Sequence, residues 1–372
     1  MHRFKHTFGL LSIAFAVVQT GTGTGINVRL HNVKYILQWA GPSGTPNLYL
    51  GSGMGLFVRR NCTYTNCFLT ANKYYFHNFF EYDAVVFDTR DIQKMRMIDF
   101  PQQRFQRQRY ILTATESAYE MPLCKKYLDK FFNWTWTYKL NSDLQRPHVR
   151  IYNTRGKIVG PRVNMKWPKR MLPLTESTKR LLLLKSDAAA WFVNDRCATE
   201  SKREQLVLKI HEELKKYGWR VDIFGRCAKR QCTEFDPYCR EMLKRDYYFY
   251  FAFETSLAED YVSTTLITAL ENYVVPVVFG GADYSRFMPP GSYLDAKKLG
   301  PAKLAQEMVA IMEHPDAYYD FFRWRNHFRI EENFLTQDVC GLCSLMNNVD
   351  MNRMTSTYDN IRAWFNVKSM KC

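Results

Sequence analysis

The chain has 372 residues, 46% hydrophobic and 15% aromatic, which is enough to fill two cores and far from the composition of a disordered polypeptide. Its formal net charge of +16 suggests an anionic partner such as a nucleotide or an acidic membrane surface. Nucleic acid is disfavoured, because the basic residues are scattered apart from "RFQRQR" (Arg104 to Arg109) and "CAKRQC" (Cys227 to Cys232), with no RNA-binding signature or paired zinc-finger spacing.

The chain opens "MHRFKHTFGLLSIAFAVVQTGTGTG", a basic start followed by an apolar run from Phe8 to Val18. That run is short of the ~20 residues an ordinary spanning helix needs. It reads as a signal peptide or a short uncleaved signal anchor, and residues 1–26 as this leader with a short linker. "GTGTG" has no strand before it and is linker, not a dinucleotide fingerprint. Ten cysteines fit an oxidising lumen. So do the acceptor triplets "NCT" at Asn61 and "NWT" at Asn133. "CGLC" (Cys340 to Cys343) has no second CxxC at ribbon spacing and no nearby His pair, so structural disulfides are favoured over a redox or zinc site.

After the leader, "KYILQWA" (Lys34 to Ala40), "DAVVFDT" (Asp83 to Thr89) and "RYILTATE" (Arg109 to Glu116) read as buried strands. A helix is expected between Ala118 and Phe132. The polar stretch from Asn141 to Pro173 reads as a connection between domains. Then come a strand at "AAAWFVN" (Ala188 to Asn194), and an amphipathic helix over Ser201 to Gly218 with Leu206, Ile210 and Leu214 on one face. Gly218 is its stop. "WRVDIFG" (Trp219 to Gly225) is a strand. Tyr247 to Gly281 reads as strand, polar loop, helix, strand. Pro301 to Met312 is a helix, and a last helix runs through "YYDFFRWRNHF". Strands alternating with helices imply parallel sheets covered on both faces, with ligands beyond the strands' carboxyl ends. The expectation is α/β, with two Rossmann-like domains facing a cleft: 27–172, 173–345 and a C-terminal tail 346–372.

Several chemistries lack their motifs: there is no G-x-S-x-G, no G-x-x-x-x-G-K-[ST], no H-E-x-x-H and no D-x-D. A bound phosphate must then rely on helix N-termini, backbone N–H groups and basic side chains. The loop after Phe253 nevertheless holds Thr255, Thr264 and Thr265 and no Lys or Arg.

"FYFAFETSLAEDYVSTTL" resembles the α1,3/α1,4-fucosyltransferase pattern F-Y-L-A-F-E-N-S-x-x-x-D-Y-V-T-E-K-L. "WFVNDRCATESKREQLVLKI", "VDIFGRC", "VVPVVFG" and "YYDFFRWR" resemble further blocks of that family, as do "ILTATESAYE" and "FFNWTWTYKLNSDL" in the first half. Order and spacing hold from about Lys34 to Cys343. The resemblance implies a GT-B fold and inverting transfer of L-fucose from GDP-fucose to GlcNAc of a glycoprotein or oligosaccharide. It also implies no essential metal, a divalent cation being at most stimulatory. The protein would sit in the Golgi membrane through its leader as a type II protein, or be secreted if the leader is cleaved.

Residue by residue, the resemblance makes Glu116 the base, although the bare sequence also allows a Glu at a helix N-terminus. It makes Arg203 the diphosphate clamp, with Glu254 and Tyr261 in the donor site. It pairs Cys62 and Cys67 with Cys340 and Cys343, a local Cys62–Cys67 bridge being the alternative; Cys197–Cys227 and Cys232–Cys239 are further candidate bridges. This chain departs from the family where Thr255, Thr264 and Thr265 stand for Asn, Glu and Lys, and where "FDTRD" stands for F-H-H-R-[ED]. The lost charge leaves room for compensation by Arg203, Lys229 or Arg230, or for a glycan-binding protein with weakened donor binding.

Overall fold

The computed structural model describes residues 27–372 except 43, 194, 195, 334–338, 369 and 371. The leader, the proposed anchor, lies outside the described residues. Among those described, no helix is long and apolar enough to cross a membrane.

Six parallel strands build the first sheet: β1 (Lys34–Trp39), β2 (Cys67–Thr70), β3 (Ala84–Asp88), β4 (Arg109–Ala114), β5 (Trp134–Thr137) and β6 (Leu144–Gln145). Their order is β2-β1-β3-β4-β5-β6. β3, β4 and β5 are buried along their whole length, as near-continuous apolar runs covered on both faces must be. The helix expected between Ala118 and Phe132 is absent; only a 3₁₀ turn, Lys126–Leu128, forms there. Pro122 has no N–H to give, and other donors are drawn off to distant acceptors. Ala118 N–H donates to the Tyr138 hydroxyl (2.7 Å) and Leu123 N–H to Asn366 Oδ1 (2.8 Å).

The expected connection over 141–173 holds β6 and a hairpin of β7 (Val149–Asn153) and β8 (Ile158–Gly160). The second sheet follows: β9 (Asp187–Val193), β10 (Val221–Gly225), β11 (Tyr247–Phe253), β12 (Val275–Phe279) and β13 (Leu294–Asp295). It is parallel, in the order β10-β9-β11-β12-β13. The helix after β9 runs Arg203–Lys215 and buries Val207, Ile210 and Leu214, with Leu206 partly covered at the margin. Gly218, at φ 80°, ends the turn beyond it in the left-handed region a glycine accepts without strain. The last predicted helix is shorter than expected, Pro315–Asp320, and gives way to a 3₁₀ turn Arg323–Asn326. β14 (Phe328–Glu332) then pairs antiparallel with β7 and completes a three-stranded sheet.

Beyond β14 the chain returns to the first domain. The helix Val339–Asn347 packs Val339, Leu342 and Met346 among Ile36, Leu69 and Trp134. Residues 346–372 are therefore no loose tail: Ile361 and Phe365 are buried in the same core as Phe87 and Leu112. Disulfides join Cys62 to Cys340, Cys67 to Cys343, Cys197 to Cys227 and Cys232 to Cys239, which rules out the local Cys62–Cys67 bridge. The unforeseen fifth, Cys124–Cys372, fastens the C-terminal end. Of the two acceptor asparagines, Asn61 is exposed and Asn133 is not. Its side chain is 7% exposed, accepts from Tyr110 N–H and donates to the Thr355 and Ser356 carbonyls, so the folded site leaves no room for a glycan.

Candidate active site

Glu116 follows the end of β4, beyond the carboxyl edge of the first sheet, and no helix starts after it. It is half-buried. Burial raises its pKa, the Arg90 guanidinium pulls it back, and Asp88 and Glu120 push it up again; the net shift is upward. Asp88 ends β3 and caps the short helix Thr89–Lys94 by accepting from Arg90 N–H. Its carboxylate also pairs with the Arg90 side chain (2.8 Å). Burial opposes the charge on Arg90, but Asp88 and Glu116 outweigh it and hold the guanidinium above its ordinary range. Behind Glu116, the partly buried His148 donates from Nε2 to the Thr115 carbonyl (2.8 Å) and holds the backbone beside Glu116; burial lowers its pKa.

The facing wall comes from the second domain. Arg203 opens its helix and lies 4% exposed; it donates from Nη1 to the Phe253 carbonyl (2.7 Å) and sits 5.6 Å over the Trp191 ring. Glu254 leaves β11 almost fully buried and accepts from Ser263 N–H (2.8 Å), which folds the loop between them back on itself. Ser201 Oγ donates to the Glu254 carbonyl (2.8 Å) and ties this loop to the one before Arg203. The loop also passes so close to β12 that a Cβ on Gly281 would sit 2.0 Å from the Leu257 carbonyl oxygen, a position only glycine fills. Asp260, at φ 59°, turns its carboxylate inward to accept from Leu140 N–H and Arg286 Nη1 (both 3.0 Å), locking the loop against the neighbouring domain. Tyr261 packs edge-on to Tyr138 and His148. Burial first, then Glu254 and Glu116, raise its pKa well above the ordinary value, so its hydroxyl stays protonated.

Between these walls is a cavity of about 390 Å³, within the roughly 300–1,000 Å³ of small-molecule sites. The first domain contributes Arg90, Glu116 and Glu120; the second contributes Arg196, Arg203, Glu254, Tyr261, Thr255 and Thr265. The predicted residues thus meet in one place, with one exception: Thr264 is exposed at the start of the helix Thr265–Glu271 and does not line the cavity. Lys229 and Arg230 do not reach it either; Arg230 lies 3.6 Å from Asp222 at the edge of β10. The sequence reading missed Arg90 and Arg196. Arg90 was visible in "FDTRD", and Arg196 beside the bridged Cys197, but neither has a spacing that marks it before the strands are assembled. Arg196 pairs across the cleft with Glu120, and beside that pair the Tyr119 hydroxyl donates to Glu200.

Two Rossmann-like α/β domains with a charged cavity at their facing edges define the GT-B class of glycosyltransferases. Residues 31–149 match "Fucosyltransferase, N-terminal" and residues 182–364 match "Glycosyltransferase family 10 (fucosyltransferase) C-term". The chain belongs to glycosyltransferase family 10. It is 38% identical over 290 residues to alpha-(1,3)-fucosyltransferase C of Drosophila melanogaster, covering 76% of this chain and 65% of that one. It is 34% identical over 148 residues to alpha-(1,3)-fucosyltransferase fut-1 of Caenorhabditis elegans, covering 39% and 33%. The match therefore spans less than two thirds of the length of either relative. A crystal structure of an alpha1,3-fucosyltransferase with GDP-fucose aligns at a TM-score of 0.49 and 14% identity, over 90% of this chain and 95% of the other.

Proposed function

We propose that this chain transfers L-fucose from GDP-fucose, in α1,3 linkage and with inversion, to GlcNAc of a glycoprotein glycan. The observation that carries this reading is the meeting of a carboxylate of raised pKa, Glu116, with Arg90, Arg196 and Arg203 around one cavity. The acceptor oxygen attacks the fucose anomeric carbon while the bond from that carbon to the diphosphate oxygen breaks, its electron pair leaving on GDP. Glu116 takes the hydroxyl proton, and its raised pKa makes it a stronger base than an exposed glutamate. Arg203 and the first N–H groups of its 13-residue helix face the diphosphate, where positive charge stabilises the leaving group. Tyr261 offers a hydroxyl donor, Glu254 holds the loop that carries it, and Thr255 and Thr265 add hydroxyls without charge.

The three guanidinium groups favour this reading over a binding-only protein, because cation lost from the Thr255–Thr265 loop is present on the other walls. Five disulfides support a site of action in the oxidising lumen of the secretory pathway, with the Golgi membrane and a type II orientation proposed for the leader. The test is calorimetric titration with GDP and GDP-fucose beside a transfer assay on lactosamine. Wild type should bind both and transfer fucose. Glu116→Gln should bind GDP unchanged with transfer slowed about a hundred-fold or more, and Arg203→Ala should bind GDP roughly ten- to a hundred-fold more weakly. Nucleotide binding without transfer to any GlcNAc acceptor would overturn the reading.

A further inference from the structure

The carboxyl edge of the first sheet extends past the cavity at Glu116. The order β2-β1-β3-β4 puts Glu116 after β4, Arg90 after β3, Trp39 at the end of β1 with Ala40 and Gly41 beyond it, and Ala71 to Tyr74 after β2, in line along one edge. A cavity of about 420 Å³ opens there, and through Trp39, Lys73 and Tyr74 it joins a second, of about 600 Å³, that runs on along the segments leading into β3 and β4. The loop after β1 is tied to the cleft side: Asn47 N–H donates to Asp91 Oδ2 (3.0 Å), next to Arg90. Residues 71–83 contain no α-helix, only a 3₁₀ turn Phe79–Glu81, so rings that a crossover helix would cover are presented by a loop instead.

The lining has a definite chemistry. Trp39, Tyr74, Phe79 and Phe80 supply aromatic surface, and Tyr74 is 78% exposed with Lys73 against one side of its ring (5.1 Å). Exposed His77, Asn78 and Gln103 supply hydrogen-bonding groups around them. Among the described residues no carboxylate lines either cavity, and Lys73 is the one Lys or Arg that does. A nucleotide, an acidic peptide or a basic peptide would each go largely unpaired in charge here. A neutral saccharide fits both halves of the lining, its C–H faces stacking on the rings and its hydroxyls meeting the amides.

We propose that this groove binds the distal residues of an oligosaccharide acceptor whose reacting sugar lies at Glu116. The inference rests on the transferase reading above and specifies its acceptor. Neighbouring strands are about 4.8 Å apart, close to the length of one sugar residue. From β4, two strand steps reach Trp39 and three reach Tyr74. A disaccharide at Glu116 stops short of the rings, whereas a chain of four or more sugars covers them.

The test uses the full chain with lactosamine di-, tetra- and hexasaccharides, for wild type, Tyr74→Ala and Tyr74→Phe. KM is measured for each acceptor, and saturation-transfer NMR of the hexasaccharide is recorded without donor. Tyr74 is largely exposed, so its substitution does not threaten the fold. KM should fall with acceptor length in wild type. Tyr74→Ala should raise the hexasaccharide KM about five-fold, the scale of one lost ring contact. It should cause no matching rise for the disaccharide, and Tyr74→Phe should behave as wild type. Equal KM at all lengths, or no effect of Tyr74→Ala, overturns the groove while leaving the transferase reading intact. NMR contacts to the distal sugars that vanish in Tyr74→Ala, with no transfer to any acceptor, sustain the groove and overturn the transferase reading. Neither contacts nor transfer overturns both.

Discussion

The two domains share a sheet architecture but are closed in different ways. The second is built from contiguous strand–helix–strand units, and its disulfides span 30 and 7 residues. The first is completed by the end of the chain: its bridges span 278, 276 and 248 residues, and Val339, Ile361 and Phe365 fill its cores. Local crossovers give the second domain's wall of the cavity a frame that needs little from the rest of the molecule. The first domain's wall has few helices and long aromatic loops, and depends on closure from far along the chain. A surface free of covering helices is also what lets that domain expose a long edge to a ligand.

That contrast yields predictions of graded size. The largest concerns covalent closure. Replacing Cys62, Cys67, Cys340 and Cys343 by Ser should cost the first domain about 8 kcal/mol in the chain-entropy model, against about 2 kcal/mol for Cys232 and Cys239. Hydrogen exchange should quicken in β1 to β5 and leave β9 to β12 near wild type; uniform loss across both sheets would show that the two domains are closed together after all.

Next in size is the proposed base. Glu116→Gln should lower kcat by about a hundred-fold or more with GDP affinity unchanged. The carboxylate must be ionised to accept a proton. Its raised pKa therefore puts the acid limb of kcat/KM above the 4.5 of an ordinary glutamate. Arg90→Ala removes the charge that pulls this pKa down, so the limb should move to still higher pH. A limb that stays put in that variant would show that Glu116 is not the titrating group.

The donor wall comes third. Losing a charge-assisted bond of about 1.5–3 kcal/mol, Arg203→Ala should weaken GDP roughly ten- to a hundred-fold, measured by calorimetry, while first-domain hydrogen exchange stays unchanged. The smallest effect tests the contact between the walls. Arg196 is over half exposed and paired with Glu120, so the pair contributes little to stability. If it competes with the diphosphate for Arg196, Glu120→Ala should tighten GDP about two-fold and Arg196→Ala should loosen it about three-fold. Shifts of the same sign would make the pair a simple brace.

Buried strands were legible because continuous apolar runs such as "YYFYFAF" and "AVVF" have few other places to go in water. The amphipathic helix at Arg203 was legible from its spacing and its glycine stop. Glu116, Arg203, Glu254 and Tyr261 stood out through the ordered blocks around them. The missing helix at 118–132 was not legible, because its backbone donors are taken by Tyr138 and Asn366, the latter 243 residues from Leu123. Nor was Asn133 distinguishable from Asn61: both open an N-x-T triplet, and burial separates them.

By itself, then, the sequence determined where the long buried strands and the amphipathic helix at Arg203 form, since periodicity and turn chemistry act over a few residues, while the roles of Glu116 and Arg203 came from the family resemblance. Tertiary structure alone decided that Arg90 and Arg196 join the cavity, that Thr264 does not, that the C-terminal segment closes the first domain, and that Trp39 and Tyr74 share one groove. Each of those depends on which strands lie side by side, and strand order is set by packing between residues far apart in the chain.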